Sequence, residues 1–192
     1  MKLQRLIILM LSLALLLTSA AAQRRGGRKA PARAAEKFVG IEVIDFENYT
    51  YTLNGQTYKL IGGYYAKNTT PGAPQWELRV AEPPYYGDLT GDRRSEAVVV
   101  LSYGAVGGPH TVEVRVYTLR GDAAVLLATF PAADTISCEL DHYVDLDDGK
   151  VRIERVQGRA GRCEHNEVRE YRWDGSKFMP VGDAKTIPCR CM

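Results

Sequence analysis

The side chains able to do chemistry fall into one acidic cluster, one cysteine group and a few isolated positions. Asp88, Thr90, Asp92 and Glu96 stand at relative positions 1, 3, 5 and 9 of a Gly-punctuated stretch. Oxygens at alternate positions of a tightly curled loop converge on one point, as a hard cation such as calcium requires. These four residues are therefore the candidate ligands of a weak calcium site. Position 6, where such a loop turns sharply and glycine is usual, is Arg93, and Arg94 adds a second positive charge. Holding Arg93 in a left-handed conformation costs roughly 1–2 kcal/mol. The alternative is a metal-free turn, with Asp side chains bonded to nearby backbone N–H groups and the arginines paired to Asp88 or Asp92. The loop is expected to curl, and to bind calcium weakly or not at all.

Gly87-Asp88-Leu89-Thr90-Gly91-Asp92, followed by Glu96-Ala97-Val98-Val99-Val100, resembles the short calcium loops of FG-GAP and VCBS repeats. It also resembles a segment carried by a group of uncharacterised secreted bacterial proteins. The match covers only about residues 86–101 and departs at Arg93. What it implies is an acidic turn feeding an apolar strand, in an exported protein.

All four cysteines, Cys138, Cys163, Cys189 and Cys191, lie in the last third of the chain. Four cysteines in an exported chain point to disulfides, with three possible connectivities. Cys138 and Cys163 sit on segments read as neighbouring strands, so they are the expected pair, worth roughly 3–4 kcal/mol on the chain-entropy model. Cys189 and Cys191 are left without an assigned partner. The same region offers a second reading, Cys138 and His142 with Cys163 and His165 as a tetrahedral zinc set, against which oxidation competes. His110, beside Gly107-Gly108-Pro109, is expected to be solvated, with a pocket-lining role as the alternative. Arg120-Gly121-Asp122 spells an integrin-type tripeptide, though Gly-Asp is also ordinary turn chemistry. Asn48 and Asn68 begin glycosylation sequons. There is no Gly-x-Ser-x-Gly, no His-Glu-x-x-His and no phosphate-binding Gly-rich loop ahead of a helix.

The chain that positions these residues begins with Lys2 and Arg5, then an apolar run, Leu6–Leu17, then Ala20-Ala21-Ala22. That is the pattern of a secretory signal peptide over residues 1–22, cut after Ala22, with an uncleaved anchor as the alternative. Residues 23–35 hold five Lys/Arg and no acid, and read as a basic disordered linker. Residues 36–192 hold 18 Lys/Arg against 23 Asp/Glu, so the domain is acidic. Nucleic-acid binding is not expected of an exported, acidic domain, nor a membrane span once the leader is cut.

About 155 residues suffice for one domain with a sizeable core. Asn54-Gly55, Gly121-Asp122, Asp148-Gly149 and Asp174-Gly175 separate segments rich in Val, Tyr, Thr and Leu. This predicts a mainly β single domain of antiparallel hairpins, a sandwich or two-layer sheet with little helix. Expected strands include 40–45, 49–53, 57–64, 75–81, 97–103, 111–119, 124–130, 137–145, 150–156, 167–173 and 177–181. Ala97–Leu101 is apolar at every position and reads as a central strand covered on both faces. Val112, Val114 and Val116 are expected to face inward, with Glu113 and Arg115 outward. The Gly-rich loop between these strands is expected near Asp88–Glu96. No fixed-period repeat supports a propeller.

The expected role is an exported, secreted or periplasmic, non-catalytic binding or structural module, with an envelope polymer or protein as partner and no cofactor beyond weak calcium. The rival is an envelope polysaccharide-active enzyme using paired carboxylates about 5–10 Å apart.

Overall fold

The computed structural model describes residues 40–68, 75–136, 143–159 and 162–190. The expected leader and linker lie outside these residues, as do Cys138, His142 and Cys191. The described chain is mainly β, as the hairpin pattern predicts. Its strands are β1 (Thr50–Leu53), β2 (Gln56–Lys59), β3 (Tyr64–Lys67), β4 (Trp76–Gly87), β5 (Glu96–Ala105), β6 (His110–Arg120), β7 (Ala123–Ile136), β8 (Val144–Asp147), β9 (Lys150–Arg159), β10 (Arg162–Trp173), β11 (Phe178–Pro180) and β12 (Lys185–Ile187).

They form three antiparallel sheets: the β1–β2 hairpin, a five-stranded meander in the order β3-β4-β5-β6-β7, and a second five-stranded sheet. The second sheet runs β11-β10-β9-β8, with β12 also paired to β10. Turn chemistry drives this layout. Asn54-Gly55 and Asp148-Gly149 place both residues at positive φ, at 50° and 77° and at 46° and 67°. This is the two-residue hairpin geometry whose twist matches the strands it joins.

Strand β5 is the centre of the meander, and its side chains alternate between two cores. Val98 and Val100 pack with Val114, Val116, Phe130, Val151 and Ile153, between the two large sheets. Ala97, Val99 and Leu101 pack with Ile41, Phe46, Tyr51, Leu53 and Leu60, under the β1–β2 hairpin. The expectation of a central strand covered on both faces holds, and all of Ala97–Leu101 is buried.

That second cover corrects one expectation. Glu113 and Arg115 do alternate with the valines, but their side faces the hairpin layer rather than solvent. Arg115 is buried and donates from Nη1 to Thr52 O at 3.0 Å and from Nη2 to Glu113 Oε2 at 2.9 Å. Alternation gives the parity of a strand, not what lies over each face.

Three element boundaries also differ. Residues 41–43 form a 3-10 turn, and 57–64 breaks at Gly62-Gly63 into two strands. Strand β4 continues through Pro83-Pro84, which a central strand would not tolerate. Its ladder to β5 is irregular between Val80 and Tyr85, and β3 flanks only Trp76–Arg79, so among the described residues no second strand pairs with β4 at the prolines.

Candidate functional site

The acidic loop curls as expected. Asp88 Oδ1 accepts from Gly91 N at 2.7 Å, Asp88 Oδ2 from Arg93 N at 2.9 Å, and Asp92 Oδ1 from Arg94 N at 2.9 Å. Arg93 takes up the left-handed conformation, with φ at 67°. The Asp carboxylates thus hold the turn without a cation, by accepting from its backbone N–H groups.

Glu96 is not a fourth ligand beside them. Its side chain turns into the protein and is fully buried. Oε2 accepts from Leu89 N at 2.9 Å and Thr90 N at 3.0 Å, and Oε1 from Thr118 Oγ1 at 3.1 Å and Thr90 Oγ1 at 3.3 Å. Burial pushes its carboxyl above the ordinary range, and the Asp92 charge adds to this, against the hydrogen bonds that favour the ionised form. The Asp88 and Asp92 carboxylates are thus engaged with the loop backbone, and Glu96 with Leu89, Thr90 and Thr118 beneath it. Among the described residues, no three His, Cys, Asp or Glu side chains are placed to hold a metal ion. The sequence places oxygens at the right intervals; the inward turn of Glu96 is a tertiary event.

The other end of β5 holds a network that the sequence did not signal. Glu77, Gly104 and His110 are register partners across β4, β5 and β6. Gly104 has no side chain, so its neighbours on either strand meet above it. His110 Nε2 lies 3.4 Å from Glu77 Oε1 and 3.1 Å from Ala105 O. Two acceptors facing one nitrogen require that nitrogen to carry the proton. Nδ1 lies 3.0 Å from the Ser102 hydroxyl, and in the neutral ring it is the acceptor of that bond. Tyr64 completes the chain by donating to Glu77 Oε2 at 2.9 Å. His110 is thus held and mostly enclosed, with 12 % side-chain exposure, rather than solvated. The Gly-rich loop also lies at the opposite end of β5 from Asp88–Glu96, roughly 30 Å away at about 3.3 Å per residue.

Ser102, His110 and Glu77 repeat the residue types and proton logic of a nucleophile, base and orienting carboxylate. Ser102 is 2 % exposed in the interior of β5, so a substrate carbon has no approach to its oxygen. The arrangement is a positioning network for the sheet end. Gly104 was the legible clue, since glycine inside a strand marks a close approach. A Cβ there would stand 2.6 Å from His110 Cδ2 and 2.7 Å from Pro109 O.

The remaining buried acids are also engaged. Glu82 Oε1 accepts from Tyr143 N at 2.8 Å, and its Oε2 accepts from the Tyr85 hydroxyl. This ties β4 to the start of the second sheet. Glu154 Oε1 accepts from Asn166 Nδ2 at 2.8 Å.

Cys163 is bonded to Cys189, with Cα atoms 6.1 Å apart. This corrects the expected Cys138–Cys163 pair, because one sulfur forms one disulfide. It also removes Cys163 from any zinc set. The tail explains the choice: β12 pairs Ile187 with Asn166 and Lys185 with Val168, so the chain runs back along β10 and delivers Cys189 beside Cys163. The Arg120-Gly121-Asp122 tip is exposed, and Gly121 has the positive φ that its hairpin needs. Asn48 is occupied within its turn, donating to Asp45 Oδ2 at 2.8 Å and accepting from Gly62 N at 3.0 Å. Asn68 is exposed, and the rest of its sequon lies outside the described residues.

An open recess of about 190 Å³ lies over one face of β9 and β10, lined by Ile153, Arg155, Glu167, Arg169 and Tyr171, with Pro131 of β7 at its rim. Register explains the grouping: Arg155 pairs with Glu167, Ile153 with Arg169, and Val151 with Tyr171, all on one face. No protein-family model, curated protein or solved structure matches the chain.

Proposed function

We propose that the chain is an exported, non-catalytic binding or structural module of the cell envelope. One observation carries this reading: the buried carboxylates Glu82, Glu96 and Glu154 are all committed as acceptors inside the fold. A glycosidase pair needs two carboxyls facing one cleft across a sugar bond. The recess on β9–β10 offers a single carboxylate, Glu167. The signal-peptide pattern of residues 1–22 and the Cys163–Cys189 disulfide support export into an oxidising compartment.

The test is incubation of the purified protein, residues 23–192, with isolated envelope fractions. Retention with no release of reducing sugar ends is the expected result. Time-dependent release of reducing ends, abolished by substituting a carboxylate, would overturn the non-catalytic reading.

A further inference from the structure

We propose that the recess between Arg155 and Arg169 is an oxyanion subsite, taking one carboxylate or phosphate group of an acidic ligand. The inference rests on the binding-module reading and names the site and chemistry through which it acts.

Charge sets the recess apart. Residues 40–136 carry 7 Lys/Arg against 11 Asp/Glu, whereas residues 143–192 carry 10 against nine. The second sheet is therefore the less acidic part of an acidic domain. Within it, most cations that face an acid are matched: Lys150 with Glu170 at 2.8 Å, Arg172 with Asp148 at 3.1 Å, and Arg190 with Glu154 at 3.8 Å. The recess is different. The Arg155 side chain has no hydrogen bond or ion pair among the described residues, although Glu167 stands opposite it in the ladder. Glu167 instead approaches Arg169, with Nη2 to Oε1 at 3.5 Å. Arg169 keeps a buried Nε–H without an acceptor. The recess thus holds two guanidinium groups and one carboxylate, which approaches only Arg169, leaving one net positive charge and unfilled donors.

Guanidinium forks match the paired oxygens of carboxylates and phosphates, with bonds roughly twice as strong as neutral ones. The walls add a second requirement. Ile153 is buried, Pro131 stands at the rim, and the Tyr171 ring is fixed against Phe130 with centroids 4.3 Å apart. A rigid ring beside two arginines suits an anion carried on a ring or short chain better than a free ion. Glu167 disfavours a ligand of high charge density, so a single charge per repeat fits best.

Titration calorimetry of the protein, residues 23–192, with two probes tests this: an oligogalacturonate for carboxylate and a glycerol-phosphate oligomer for phosphate. At least one should bind, and its affinity should fall with added salt. Arg155→Ala should weaken binding about tenfold, the loss of one charge-assisted contact. Arg155→Lys, which keeps charge but loses the fork, should weaken it less. Arg172→Ala, at an exposed pair away from the recess, should leave it unchanged. Thermal melts of each variant separate lost binding from lost folding, and Arg155 is only partly buried. Which probe binds identifies carboxylate or phosphate as the source. Binding to neither, or unchanged affinity in Arg155→Ala, would overturn the subsite. Envelope retention that survives Arg155→Ala would overturn it while leaving the module reading in place.

Discussion

The two ends of β5 differ in how far the sequence shows them: the loop at the Glu96 end curls as expected, whereas His110 at the Gly104 end, expected to be solvated, is held in a network. At the Glu96 end, residue types and spacing resemble a cation loop, yet the loop satisfies itself. Asp88 and Asp92 take backbone N–H groups, and Glu96 turns inward to hold Leu89, Thr90 and Thr118. At the Gly104 end the sequence looks like a solvated glycine loop, yet Ser102, His110, Glu77 and Tyr64 form a continuous network. The difference lies in the direction of the contacts. The first end is built mostly from contacts within nine residues, which spacing can display, with Thr118 as the partner from a neighbouring strand. The second is built across three strands, where the partners are separated in sequence and brought together by register.

Glu96→Ala should have the largest effect. It leaves the buried N–H groups of Leu89 and Thr90 without an acceptor and opens a cavity, for a loss of about 3 kcal/mol or more. Denaturant midpoints check this, and a loss below about 1 kcal/mol would mean that the loop is held by its aspartates alone.

Gly104→Ala probes the other end. The added Cβ would meet Pro109 O, a backbone atom, and the His110 ring. A loss of about 1–3 kcal/mol is expected, together with a changed His110 ring environment by NMR. An unchanged ring signal would show that Glu77 and His110 do not depend on the gap over Gly104.

A smaller effect concerns pH. Burial raises the Glu96 carboxyl, so its protonated form favours the folded state. That contribution is fully present below the ordinary carboxyl range and is lost as pH rises through the raised value. Measured against Glu96→Gln, which cannot ionise, wild-type stability should decline as pH rises from the ordinary carboxyl range through the raised value. Taking the difference cancels Asp45 and Asp174, whose local hydrogen bonds lower their carboxyls and give the opposite slope in acid. A difference that rises with pH would refute the assignment.

Arg93→Gly should have the smallest effect, a gain of up to about 1 kcal/mol by removing left-handed strain, reduced by the added freedom of glycine in the unfolded chain. Because Glu96 faces inward, this change should not create a calcium site. Calorimetry showing tight calcium binding by the variant would mean that Glu96 can swing outward.

Local chemistry by itself determined a good deal of this protein. The Asn-Gly and Asp-Gly turns fixed hairpins, the unbroken apolar run Ala97–Leu101 fixed a doubly covered strand, and Asp88 with Gly91 fixed a curled loop. Each of these signals is complete within a few residues. Only the tertiary structure decided which way Glu96 points, what covers Arg115, which cysteine Cys163 meets, and that Arg155, Glu167 and Arg169 line one recess. These depend on layer order and ladder register. A one-residue shift in register exchanges every side chain between faces. No pattern within one strand states what its neighbours will bring.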